Sequence, residues 1–360
     1  MSEADHLSTA NCAFSSADFE ELLSAEGAVD IDRLREASRT GIPSSVRGEV
    51  WKYLLGVSCP DNTENFATQR SLFEEFNRVQ QRTVEDTDPT RQLSPDLLKQ
   101  LRAEIRRHFA FLQRQFEEND DEWDNMSPAM FGQQIPTIER IVSSQHDNNV
   151  NDGSIDGTQL SSCGSTIATG SGVPYDVERL FLLERLILMH ISAKNVELDL
   201  SAVYLLAPFL HCMPDPCSVY FSFLALQDYI ESIESAGMDR ILAKFIMLFR
   251  TFEPDLCSHF EDEELRPNEW AIPWLRHLLC AELPFFCVLR LWDTYFALSS
   301  DLELHMFVCL AILSLCKESL LECDYSELKG SLQQLPTLDV DHLLALANNM
   351  QNQARAAWNI

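Results

Sequence analysis

The chain has 360 residues, of which 46% are apolar, and acidic residues outnumber basic ones 56 to 27 for a formal net charge of −29. A field of that sign repels phosphate backbones, which argues against nucleic acid as a partner, and it disfavours anionic lipid surfaces unless a local basic patch intervenes. Only 12 glycines are present, five of them between Gly153 and Gly172, so tight turns are scarce and long helices are expected rather than a β-sandwich.

The N-terminus, MSEADHLSTANCAF, is polar and acidic, unlike a signal or transit peptide. One helix is predicted at Ser16–Leu23, and Ile31–Thr40 reads as another with Leu34 and Ala37 on one face. Gly41-Ile42-Pro43-Ser44-Ser45 breaks it. Ser44 or Ser45 is expected to cap a helix running from Val46 to Leu55, which ends at Gly56, the residue type suited to a helix C′ position. Ser94-Pro95 opens a further helix, whose apolar stripe of Leu98, Leu101, Ile105, Phe109 and Leu112 keeps the helical period. An acidic knot, Glu117–Asp124, and a shorter apolar stretch near Phe131–Val142 follow. Ser143–Pro174 is rich in Ser, Asn, Asp, Gly and Thr; it has too little apolar area to offset the entropy of ordering and is expected to be a disordered insertion.

Beyond Tyr175 the chain is densely apolar. Helices are predicted at 176–193, 199–211, 217–234, 237–252, 269–280, 284–297, 301–320 and 338–356, punctuated by Pro208, Pro216, Pro254, Pro273, Pro284 and Pro336. The most membrane-like run, Met306–Cys316, is far shorter than the roughly 20 residues a span requires, and it reads as a buried core helix. The 11 cysteines include no CxxC pair, and most lie in apolar helical stretches (Cys257, Cys280, Cys287, Cys309, Cys316), as free thiols in a reducing compartment do. His211, Cys212 and Cys217 flank a Met-Pro-Asp-Pro turn and are read as part of that turn, so no metal is expected. The sequence contains no P-loop, dinucleotide fingerprint, HExxH or nucleophile elbow.

Three ordered stretches carry a resemblance. The first is Gly41-Ile42-Pro43 with Arg47, Val50-Trp51 and Leu54-Leu55-Gly56. The second is Trp270-Ala271-Ile272-Pro273-Trp274-Leu275, continuing to Glu282-Leu283-Pro284. The third is Leu289-Arg290-Leu291-Trp292-Asp293 with Tyr295-Phe296. Together they resemble the TBC domain of Rab GTPase-activating proteins over roughly residues 38–346, with 1–37 as an acidic lead-in and 347–360 as the end of a C-terminal helix. The resemblance implies an all-α fold: one large multi-helical domain carrying the 143–174 insertion. Trp51, Trp274 and Trp292 are expected in its core, with Asp293 as a satisfied buried polar group rather than a reagent.

The resemblance also implies a function. TBC domains accelerate GTP hydrolysis on a partner by supplying an arginine finger and a glutamine that orients the attacking water. The family's arginine motif, isoleucine, two residues, aspartate, two residues, arginine, has its best match in Leu101-Arg102-Ala103-Glu104-Ile105-Arg106-Arg107. Leu101 replaces the isoleucine, Glu104 replaces the aspartate three residues before the finger position and within reach to orient it, and Arg107 stands at that position. Helical periodicity turns Arg107 away from the apolar stripe and outward; spacing alone reads it as one more solvated charge beside Arg102 and Arg106. Counting back from Leu205-Leu206-Ala207-Pro208 puts Leu198-Asp199-Leu200 where the family has tyrosine–any–glutamine. Leu200 therefore stands at the glutamine position, and leucine has neither donor nor acceptor to orient water. The implied partner is a Rab-family small GTPase that brings its own GTP and Mg²⁺, so no cofactor is expected on this chain. The implied location is cytoplasmic, with peripheral association to endomembranes through the GTPase. A non-catalytic TBC adaptor that binds a small GTPase or a protein complex is the alternative.

Overall fold

The structure, a computed structural model, describes residues 14–25, 27–85, 93–118, 177–234, 237–298 and 303–358. The apolar stretch at 131–142 and the insertion at 143–174 lie outside the described residues. Every regular element described is a helix, and one isolated antiparallel bridge pairs Ala28 with Asp61. The order is α1 (Ser16–Leu23), α2 (Ile31–Ser38), α3 (Ser44–Leu54), α4 (Asn62–Glu85), α5 (Pro95–Glu118), α6 (Val177–Lys194), α7 (Ala202–Cys212) and α8 (Pro216–Glu234). It continues with α9 (Met238–Phe252), α10 (Pro254–Asp262), α11 (Pro267–His277), α12 (Phe285–Ala297), α13 (Glu303–Leu315), α14 (Lys317–Leu321), α15 (Tyr325–Gln333) and α16 (Val340–Trp358).

Local chemistry explains most boundaries. α1 starts with a capping box in which the Ser15 hydroxyl accepts from the Asp18 amide and Asp18 reaches back to Ser15. Ser94 caps α5, its hydroxyl accepting from Leu97. α3 differs from the expectation: it begins at Ser44 with Pro43 at the cap position, and neither serine makes a side-chain cap. Its other end is as read. Gly56 takes φ +74°, its amide bonds to the Tyr53 carbonyl and that of Val57 to Lys52, a glycine-terminated Schellman motif.

Other boundaries follow packing rather than local signals. Pro208 and Pro273 sit inside α7 and α11 instead of ending them. α11 stops at His277 because Leu278 and Leu279 adopt left-handed φ of 53° and 60°, which their complete burial stabilises against the steric cost. The predicted 301–320 helix is two, α13 and α14, with Cys316 between them. α4, α10 and α15 have no counterpart among the predicted elements.

One continuous core joins the two halves of the chain. α2 and α3 pack on α12, α3 also meets α7 and α8, and α16 runs along the largely apolar α13. Trp51, Phe209, Trp292 and Phe296 form a mutual ring cluster at its centre, with centroids 5.1–6.2 Å apart. Trp51, Trp274 and Trp292 are all buried, and each indole donates: Trp51 to Asp293, Trp274 to the Leu332 carbonyl and Trp292 to the Leu278 carbonyl.

Asp293 closes this core. Its carboxylate, wholly buried, accepts from the Ile42 amide at 2.9 Å, Arg47 Nε at 3.1 Å and Trp51 Nε1 at 2.8 Å. Burial pushes its pKa upward against the pull of Arg47 and of these donors. The Gly-Ile-Pro turn and the third motif are thus one interaction, tied across about 250 residues of sequence.

Candidate functional site

α5 lays Leu101, Ile105, Phe109 and Leu112 into the core, which sends Arg107 outward with its side chain 71% exposed. Glu104 lies on the same helix one turn earlier, and its side chain is only 6% exposed. The Arg107 guanidinium pairs with Glu104 Oε2. The other oxygen, Oε1, accepts from the hydroxyl of Tyr204, which comes from α7. A buried carboxylate thus bridges an exposed arginine and a tyrosine on the neighbouring helix.

Other buried polar groups surround this pair. His108 follows Arg107 on α5 but points inward, 3% exposed, with its ring edge-on to Tyr204 at 4.7 Å. Among the described residues neither His108 ring nitrogen finds a hydrogen-bond partner, and burial lowers its pKa to about 4, so it is neutral near pH 7. Burial raises the Tyr204 hydroxyl, while the charge and hydrogen bonding of Arg107 pull it down. Glu282 is also buried; burial raises it to about 7, and its Oε2 is unpartnered among the described residues.

The Leu198–Leu200 segment enters α7 as an irregular turn. Asp199 Oδ1 accepts from the Ser201 amide at 2.9 Å and its other oxygen approaches Arg276 at 4.0 Å. Leu198 and Leu200 are half-buried and pack on the core. The Leu200 side chain is therefore apolar and partly covered.

Elsewhere, among the described residues, no group of three or more His, Cys, Asp or Glu side chains has metal-holding geometry, and no helix is long and apolar enough to cross a membrane. Cys212 and Cys217 are held protonated by burial, both pushed up to about 12. His211 stacks edge-on against Phe285 at 5.1 Å.

The structure brings Arg107 and Glu104 together as read from the helical spacing, and adds two residues the sequence reading passed over, Tyr204 and His108. A signal for Tyr204 existed: it is a lone phenol in the apolar run Ala202–Leu206, and a buried tyrosine hydroxyl needs a partner. No comparable signal marks His108, which reads as a polar residue on a half-charged helix.

Residues 201–321 match the Rab-GTPase-TBC domain family; Leu200 and Arg107 fall before that span. The chain is 25% identical over 327 residues to human TBC1 domain family member 22B, covering 89% of this chain and 57% of that protein. It is 28% identical over 348 residues to TBC1 domain family member 22A of Macaca fascicularis, covering 92% and 61%. The chain thus spans about 57–61% of the length of these relatives. A GTPase-activating protein, gyp1 of Schizosaccharomyces pombe, is 23% identical over 86% of the chain and 55% of its own length. Among solved structures, the Ypt/Rab-GAP domain of Gyp1p superposes with a TM-score of 0.64 at 20% identity, covering 94% of this chain and 97% of that one. The Chlamydomonas flagellar RabGAP TBC domain gives 0.55 at 16% identity, over 92% and 87%. Residues 201–321 thus carry the match to the Rab-GTPase-TBC domain family, and the chain as a whole shares the all-helical fold of the solved Rab-GAP domains, with its first and third motifs joined through Asp293.

Proposed function

We propose that this chain stimulates GTP hydrolysis on a Rab-family small GTPase, supplying Arg107 in trans as an arginine finger. The observation that carries the reading is the pairing of an outward-facing Arg107 with the buried Glu104 carboxylate, on a helix whose other face is locked into the core. A finger works by placing positive charge where the transferred phosphoryl group gains negative charge, and such a group is worth about 10³–10⁵ in rate. The chain carries out no reaction of its own: GTP and Mg²⁺ come with the partner. Through that GTPase it acts in the cytoplasm at endomembrane surfaces, in vesicle trafficking.

Leu200 favours a second reading. An apolar side chain there leaves the attacking water without an orienting group from this protein, so a non-catalytic adaptor that binds a small GTPase is the competing role. Single-turnover hydrolysis by GTP-loaded Rab proteins, with and without the chain, separates the two. Arg107→Ala is expected to remove most of any acceleration, and Leu200→Gln to increase it. Binding without acceleration, and indifference to Arg107→Ala, establishes the adaptor instead.

A further inference from the structure

An exposed ion pair three residues apart on one helix favours contact by only about twofold. That is too weak a bias to hold a long, 71% exposed arginine side chain in one orientation. Here the acid of the pair is buried, and its second oxygen is held by a group from another helix. The Tyr204 ring is in turn fixed edge-on by His108, the residue next to Arg107. Arg107, Glu104, Tyr204 and His108 therefore form a chain of contacts between α5 and α7.

We propose that Tyr204 is the positioning residue of this site, orienting the Glu104 carboxylate so that Arg107 is presented to the partner in a single pose. The inference rests on the reading of Arg107 as a finger for its functional meaning, but its structural content stands apart from that reading. Tyr204 lies inside α7, whereas Leu200 lies in the turn that precedes it, and the Tyr204 hydroxyl proton is committed to Glu104. Its role is thus distinct from that of the missing glutamine: it prepares the arginine and does not orient the water.

The test uses the full chain with ¹⁵N-labelled arginine. In the wild type the Nε–Hε group of Arg107 is expected to be ordered. In Tyr204→Phe, which keeps the ring and its packing on His108, the order is expected to fall towards that of Glu104→Gln. Arg102, held by three contacts to Glu184 from 2.8 to 3.1 Å, serves as an internal control that stays unchanged. Undiminished Arg107 order in folded Tyr204→Phe overturns the proposal. Should that variant not fold, ¹³Cζ-labelled tyrosine in Glu104→Gln reads the same link from the other side, and an unshifted Tyr204 resonance overturns it.

In Rab hydrolysis assays Tyr204→Phe is expected to lower kcat about tenfold with KM little changed. Adding Leu200→Gln to that variant is expected to leave the defect in place. Full rescue by the glutamine contradicts the proposal, because it assigns the hydroxyl to water orientation. If the wild type accelerates no Rab, the finger reading fails, while the arginine order measurement still decides the role of Tyr204.

Discussion

Two buried carboxylates define what single residues do in this protein. Asp293 has every oxygen occupied by donors from the Gly-Ile-Pro turn, Arg47 and Trp51, and the arginine it binds is itself largely covered, its side chain 14% exposed. Glu104 holds an arginine that faces solvent. The first geometry can only hold the fold together; the second leaves a cation available to a partner. Asp293→Ala is expected to destabilise the chain by about 3–5 kcal/mol, because it strips a buried ion pair of one member and leaves the Trp51 indole without an acceptor. A urea melt reads this as a lower midpoint, and an unchanged midpoint contradicts the clamp. The role of Asp293 was legible in the sequence as a polar group following a buried Trp. Its donors were not, since they lie 242 to 251 residues away and only the fold brings them together.

At the scale of elements, sequence reading succeeded where an apolar stripe was broad and failed where it was narrow. α5, α7 and α12 present a wide buried face and were placed within a few residues. α4 was missed although it is 24 residues long. Among its described side chains it buries only Phe76 and Val79, and Phe66 and Phe73 stand 78% and 56% exposed, so its period is blurred by aromatics on the wrong face. α3 shows how packing overrides propensity. A Cβ on Gly48 would lie 2.2 Å from the Cys212 carbonyl oxygen at the end of α7. Alanine is the better helix former by about 1 kcal/mol, but this clash forces two backbones apart. Gly48→Ala is therefore expected to cost about 1–3 kcal/mol net and to lower the melting temperature by several degrees. A raised melting temperature contradicts the close approach of the two helices.

For the whole molecule, buried histidines dominate the pH response. His108, His190 and His305 are lowered to about 4 and His211 to about 3, each chiefly by burial. Below their unfolded pKa of about 6.5 the unfolded chain binds protons that the folded chain refuses, so stability falls as pH drops from about 6.5 towards 4. Each fully neutral histidine contributes up to about 1.4 kcal/mol per pH unit in that window. Glu282, raised to about 7, and Asp293, also raised by burial, act oppositely and favour the folded state on acidification. Four histidines outweigh these two carboxylates, and the urea midpoint is expected to drop between pH 6.5 and 4.5; a flat profile there contradicts their burial as neutral groups.

The all-helical class was legible from glycine scarcity and apolar density, and the family from three short motifs in order. The linkage of Glu104 to α7 was not, because it joins residues 100 apart through a phenol that carries no motif of its own. The most direct test of the central claim is single-turnover hydrolysis across a panel of GTP-loaded Rab proteins. The proposed finger predicts acceleration of at least one Rab that Arg107→Ala abolishes; acceleration of none, or acceleration that survives Arg107→Ala, contradicts it.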